Sequence, residues 1–390
     1  MTATVATPAA APQAPKLAGS QTTRLQSLDA FRGITIASML LVNNPGSWST
    51  IYDPLEHAAW NGWTPTDLIF PFFLFIVGVS MTLSYARMLE RGASRNQLML
   101  KSAKRAALIF LAGLALHSFP WVGYDFSTIR IPGVLQRIAI AYLFASAIYL
   151  YIETIKGRLI ALATLLFGYW FIQMLVPVPG GLTGVLKPGL DFGAYIDRVV
   201  FTEAHLWRSA RTWDPEGLLS TMPAIGTALL GAFAGTWLKS DRTQTEKALG
   251  LFLAGFVGMM VGGMWGWVFP INKSLWTSSY VIFTAGIGCQ LFALCYWLID
   301  MQGYRAWAKP FIVFGMNALA VFWLSGAFAR VMNMIKVGPD DVALKTFIYR
   351  NYFLSWATPI NASLFFAITF VLFWLAIMWV FYWKKIFIKL

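Results

Sequence analysis

The chain has 390 residues, of which 58% are hydrophobic, 16% aromatic and only 12% charged. Soluble proteins carry roughly 25% charged residues, so this composition excludes a soluble globular enzyme and a disordered protein. It points to an all-α polytopic membrane helix bundle, because a bilayer-spanning helix needs about 20 mostly apolar residues. The apolar segments are continuous and do not alternate, which argues against a β-barrel. The net charge of +13 is then a question of membrane sidedness and not of a nucleic-acid partner.

Residues 1–23 are rich in Ala, Pro, Thr and Gln, with Lys16 the one charge. They lack a basic start followed by an apolar run, so they read as a disordered cytoplasmic tail and not as a signal peptide. The remainder, 24–390, reads as one transmembrane domain. About ten apolar segments follow: Leu28–Pro45, Asp67–Tyr85, Ala103–Trp121, Pro132–Ile152, Leu159–Val178, Gly217–Leu238, Ala248–Phe269, Trp276–Ile299, Pro310–Ala329 and Thr358–Trp383. No internal repeat is visible. Cys289 and Cys295 share one apolar segment at a spacing that does not face on a helix, so neither a disulfide nor a metal site is expected.

With the N-terminus in the cytoplasm, 19 of the 30 basic residues fall on the cytoplasmic side and ten on the other, with Arg137 left inside the fourth span. Arg87, Arg91, Arg95, Lys101, Lys104 and Arg105 crowd one loop. Both termini are therefore expected to be cytoplasmic, and loops 46–66, 179–216 and 330–357 external, or periplasmic in a Gram-negative cell.

A charge inside a span costs about 2.5–3.5 kcal/mol on insertion scales, so each is a functional candidate. Asp29 and Arg32 lie at i and i+3 near the start of the first span. They suit either a helix start capped by Ser27 with a snorkelling arginine, or an arginine reaching an anionic ligand. Asn43 and Asn44, ahead of Pro45 and Gly46, suit a helix C-cap or an amide donor to a carbonyl oxygen. His57 is one of three histidines, lies near Trp60 and Trp63, and has Asp67 as a candidate partner for its imidazole. It is either a wet interfacial residue or a catalytic one. His117 reads as a packing or helix-end residue, and His205 has no defined partner.

Gln136 and Arg137 lie about 7 Å into the fourth span at about 1.5 Å per residue, where a charge needs a partner or an aqueous cavity. Asp214 and Glu216 precede the sixth span, as ordinary dipole complements or as ligands for an amino sugar. Asn272 and Lys273 stand at the turn before the eighth span, and Asn317 lies inside the ninth. Dinucleotide, Walker, zinc and nucleophile-elbow motifs are absent.

Six stretches in order, RLQSLDAFRG, HAAWNGWTPTDLIFPFFLFIVG, RIPGVLQRIAIAY, WDPEGLLSTMPA, PINKSLWTSSY and GMNALAVFW, run from Arg24 to about residue 323. Together they resemble the heparan-α-glucosaminide N-acetyltransferase family of transmembrane acyltransferases. Lysosomal members carry a luminal domain and an extra span before this core. This chain looks like the shorter bacterial inner-membrane members, which are associated with amino-sugar or cell-wall sugar metabolism. The resemblance implies acetyl transfer from cytoplasmic acetyl-CoA to the amino group of a glucosamine on the other side. It implies that His57 is the catalytic histidine and Asn43 the asparagine beside it.

On that reading His57 acts as general base or takes the acetyl group itself, and the sequence leaves the choice open. Asn43 donates to the thioester oxygen and Asp67 orients His57. Arg32, Lys104 and Arg105 hold the CoA phosphates, with Gln136, Arg137 and Asn317 also on the donor side. Asp214, Glu216, Asn272 and Lys273 serve the acceptor. The expected partners are acetyl-CoA, a small amino sugar rather than a sulfated polymer, and membrane lipid; nucleic acid and metal are not expected, and a homodimer is left open. A secondary transporter of an amino sugar is the alternative, since intramembrane charges and Gly/Pro interruptions suit it too.

Overall fold

A computed structural model describes residues 25–338 and 341–388; the tail expected at 1–23 lies outside the described residues. Helices α1 (Gln26–Asn43), α2 (Ile69–Glu90), α3 (Arg95–Ser118), α4 (Val134–Tyr151) and α5 (Ile155–Leu175) come first. A short α6 (Phe192–Phe201) interrupts the following loop. Then come α7 (Thr221–Lys239), α8 (Gln244–Trp265) and α9 (Ser278–Cys295), the last continued by a π-helical turn over Tyr296–Met301. The chain closes with α10 (Lys309–Met316), α11 (Ala318–Met334), the tiny hairpin β1 (Lys336–Val337) and β2 (Val342–Ala343), α12 (Leu344–Ile348) and α13 (Pro359–Trp383).

Each of the ten predicted segments becomes a helix or a bent helix pair, and the fold is the expected all-α polytopic bundle. The count of ten spans is not supported. Among the described residues seven helices are long and apolar enough to cross a membrane, or eight if α10 and α11 form one broken span bent by 81°. The difference arises because α1 carries Gln26, Asp29 and Arg32 in its first turns and α3 carries Arg95, Lys101, Lys104 and Arg105. The bend falls at Asn317, whose amide donates to the Ile386 carbonyl at 3.0 Å and accepts from the Ile388 amide at 2.9 Å. The Asn317 side chain thus ties the C-terminal segment to the bend.

The bundle centre is α7, 72% buried across its apolar window, whereas α5 and α8 are 22% buried and turn Leu159, Phe167, Phe171, Leu253 and Phe256 outward. Such outward apolar bands need lipid and not water around them. The closest pairings are α8 with α9, α2 with α7, α3 with α4 and α1 with α10. In lipid, helices associate mainly by close packing of small residues. A Cβ on Gly78 of α2 would meet the Ala228 carbonyl oxygen of α7 at 1.9 Å. We expect Gly78→Ala to lower the melting temperature, at a cost of about 1–3 kcal/mol for overpacking. Gly263→Ala on α8, where nothing lies within 4 Å of the added methyl, serves as the control. Equal melting temperatures for the two variants would refute the tight α2–α7 contact.

The start of α1 departs from expectation. Ser27 does not cap it, and its hydroxyl makes no hydrogen bond among the described residues. Asp300, from the π-turn after α9, accepts instead from the amides of Gln26 at 3.2 Å and Ser27 at 3.3 Å. A carboxylate brought from another element complements the helix dipole as a local cap would.

Candidate active site

The loop between α1 and α2 is wound around one carboxylate. Thr64 and Asp67 form a reciprocal cap on the 3-10 turn Pro65–Leu68 that leads into α2. Asp67 Oδ2 accepts the backbone N–H groups of Ala58 and Thr64, both at 3.0 Å. The Tyr280 hydroxyl of α9 donates to the Asp67 carbonyl oxygen from below. Asp67 is 1% exposed, and its remaining oxygen, Oδ1, lies 2.7 Å from His57 Nδ1. An acceptor-only carboxylate in this position sets the hydrogen on Nδ1 and leaves Nε2 as the basic nitrogen.

Lys273, from the turn between α8 and α9, completes the cluster. Its Nζ stands 3.0 Å from Nδ1 and 3.1 Å from Nε2 of His57, and 3.6 Å from Asp67 Oδ1. Burial pushes its ammonium below the ordinary lysine range, against the pull of Asp67 and Glu216. Asn272 holds this turn in place. Its Nδ2 donates to Asn61 Oδ1 at 3.1 Å, and its Oδ1 accepts the Leu275 amide at 2.9 Å.

His57, Asp67 and Lys273 line one end of a cavity of about 580 Å³, together with Asn43, Arg130 and Glu216. The side chain of Asn43 has no hydrogen-bond partner among the described residues; the neighbouring Asn44 instead donates to the Leu40 carbonyl as a helix-end bond. The rest of the cavity is an apolar shaft between α1, α2, α4 and α11, walled by Ile36, Met39, Phe73, Ile138, Leu319 and Phe322.

Arg130 was counted from sequence only as a basic loop residue. In the fold its guanidinium grips Asp214 through two hydrogen bonds, at 2.8 and 2.6 Å, and also binds Glu216. Burial works against its charge, but the two carboxylates hold that guanidinium above the ordinary arginine range. Asp214 is sealed by this contact and does not line the cavity, whereas Glu216 does. Nearby, burial and then the neighbouring Asp214 and Asp191 push the Asp197 carboxyl up to about 7. Its Oδ1 accepts the Leu218 amide at 2.8 Å and so supports the same turn.

The remaining candidates lie off the cavity wall. Arg137 is 1% exposed, donates to the Gly217 carbonyl at 3.2 Å and to Ser220, and covers the Trp276 ring at 4.9 Å. Gln136 is buried beside Gly113, Gly133 and His117 with both amide atoms unpartnered among the described residues. Arg32 binds Asp29 at 3.2 Å, Ser80 at 2.7 Å and the Gly315 carbonyl at 3.2 Å, tying α1 to α2 and α10. Lys104 and Arg105 sit on the exposed face of α3, with Arg105 5.4 Å over Tyr142. Asn317 is engaged at the helix bend.

Fold and site together define a polytopic helical membrane protein with a His–Asp–Lys cluster opening into a cavity between its helices. A family model described as heparan-alpha-glucosaminide N-acetyltransferase, catalytic, matches residues 24–262, and the chain belongs to that family. It is 31% identical to the heparan-alpha-glucosaminide N-acetyltransferase of Homo sapiens, over 94% of this chain and 60% of that protein. It is 30% identical to the Mus musculus protein of the same description, over 81% of this chain and 55% of the relative. The chain thus spans little more than half the length of these curated relatives. The matched residues take in His57, Asp67 and Arg130 but stop short of Lys273 and Asn317.

Proposed function

We infer that the chain is a transmembrane N-acetyltransferase that moves acetyl from acetyl-CoA to the amino group of a small glucosamine-type sugar. The observation that carries this reading is His57, oriented by a buried Asp67 and opening onto the same cavity as the unpartnered amide of Asn43. The names of the two relatives support the reaction class. The apolar shaft below the cluster suits the thin pantetheine arm of the donor. The basic loop between α2 and α3 suits donor arrival from the cytoplasm, with both termini on that side of a bacterial inner membrane.

The chemistry follows from the arrangement. The acceptor amine displaces Lys273 from Nε2 of His57 and gives that nitrogen its proton while attacking the thioester carbonyl. The C–N bond forms, the C–S bond breaks, and the leaving thiolate takes the proton from His57. Asp67 stabilises the imidazolium in between, and Asn43 donates to the developing oxyanion, a contact typically worth about 10²–10³ in rate. Glu216 and Lys273 hold the sugar.

The test is reconstitution of the full chain in sealed vesicles with labelled acetyl-CoA on one face and glucosamine on the other. Labelled N-acetylglucosamine is expected, and only when acetyl-CoA faces the α2–α3 loop. Uptake of the unmodified sugar without acetylation would overturn the reading in favour of a transporter.

A further inference from the structure

We propose that Trp60, Trp207 and Trp213 form the subsite that binds the pyranose ring of the acceptor. This rests on the reading that the chain acetylates an amino sugar. The three tryptophans come from two separate segments, the α1–α2 loop and the stretch between α6 and α7, and all three line the cavity that holds His57. Trp213 meets Trp60 edge-on at 5.2 Å and 87°, and Trp207 at 5.5 Å and 76°. A tryptophan that marks a membrane interface needs only an amphipathic position at the boundary. These three turn toward one another and toward the polar end of a cavity.

The group is also held rigidly. Trp60 Nε1 donates to the Leu186 carbonyl at 2.6 Å, and Trp213 directly precedes Asp214, which Arg130 clamps. The indole N–H groups of Trp207 and Trp213 have no hydrogen-bond partner among the described residues. All three rings are only half-buried; Trp207 and Trp213 offer both apolar face and polar edge to a ligand, and Trp60 offers its face. A pyranose has the matching chemistry: axial C–H groups for an indole face, and hydroxyls for indole N–H, Glu216 and Arg130. Pockets of this kind, aromatic walls with a few convergent polar groups, suit a small polar ring.

The experiment uses the full chain purified in detergent, as wild type, Trp207→Ala, Trp213→Ala and Trp213→Phe. Glucosamine binding is read by calorimetry, and the KM values for sugar and for acetyl-CoA by turnover. We expect the alanine variants to weaken sugar binding and raise its KM about tenfold, with Trp213→Phe intermediate. The KM for acetyl-CoA should stay within about twofold, which also certifies folding. Unchanged sugar affinity in all variants overturns the proposal. So does a rise in the KM for acetyl-CoA alone, which would assign the rings to the donor's adenine. Sugar that binds in a Trp213-dependent way but is not acetylated supports the subsite and sinks the proposed reaction. Should Trp213→Ala fail to fold, Trp207→Ala and Trp213→Phe decide the matter.

Discussion

His57→Ala is expected to abolish acetyl transfer while leaving a folded protein that still binds acetyl-CoA. General-base catalysis typically contributes 10²–10⁴-fold, so the turnover rate should fall by at least about 100-fold. The fold should survive because the His57 side chain is 50% exposed and Asp67 keeps its two backbone donors and Lys273 without it. A melting temperature close to wild type, with donor binding intact, would separate lost chemistry from lost structure. Asp67→Asn provides a contrast. It leaves one accepting oxygen where Asp67 uses two, so either the imidazole or the cap on the 3-10 turn loses its acceptor, and activity and stability should fall together. If His57→Ala retained activity within a few-fold of wild type, His57 would have no part in the reaction.

The second large effect is expected at Arg137. Arg137→Ala removes a fully buried guanidinium from beneath the turn that carries Glu216, along with its contacts to Ser220, the Gly217 carbonyl and the Trp276 ring. It leaves a void in the core and strips a positive charge from the neighbourhood of Asp214, Glu216 and Asp197. Large-to-small core changes and broken buried charge contacts each cost about 2–5 kcal/mol, so both melting temperature and activity should drop. Arg137→Met restores volume without charge, and its partial recovery would divide packing from electrostatics. Arg137→Lys should fare poorly as well, because a compact ammonium does not reproduce the planar guanidinium laid over the Trp276 ring. Arg91→Ala, on an exposed residue at the end of α2, should stay within about 0.5 kcal/mol of wild type. Matching melting temperatures and rates for Arg137→Ala and Arg91→Ala would reduce Arg137 to a spectator.

Nothing in the primary structure distinguished the tight residues from the accessible ones among the candidates. Asp214 and Glu216 stand two apart and looked equivalent; Arg130, 84 residues before Asp214, seals one and leaves the other on the cavity wall. Arg32 looked available to an anion from the cytoplasmic side, yet Ser80 and the Gly315 carbonyl use its fork to join three helices. A segment's own letters do not report which distant group will satisfy a charge, and that partner decides whether the charge is structural or chemical.

Local signals carried what local physics controls. The apolar runs marked the helices because a spanning segment must satisfy its backbone within itself, whatever its neighbours are. His57 and Asp67 are ten residues apart, joined by a loop that its own cap closes, so their pairing was readable from the chain. The number of crossings was not, since α1, α3 and the bent α10–α11 pair mix apolar length with charges whose cost depends on burial and partners. Lys273 lies 216 residues from His57, and Asp300 lies 274 from the helix start it caps. Trp213 meets Trp60 from another loop altogether. Only the packing of α2, α7 and α9 brings the loops of His57, Trp60, Trp213 and Lys273 to one end of the bundle and Asp300 to the start of α1 at the other. Such contacts follow from which helix faces fit one another, a property of pairs of segments and not of any one of them.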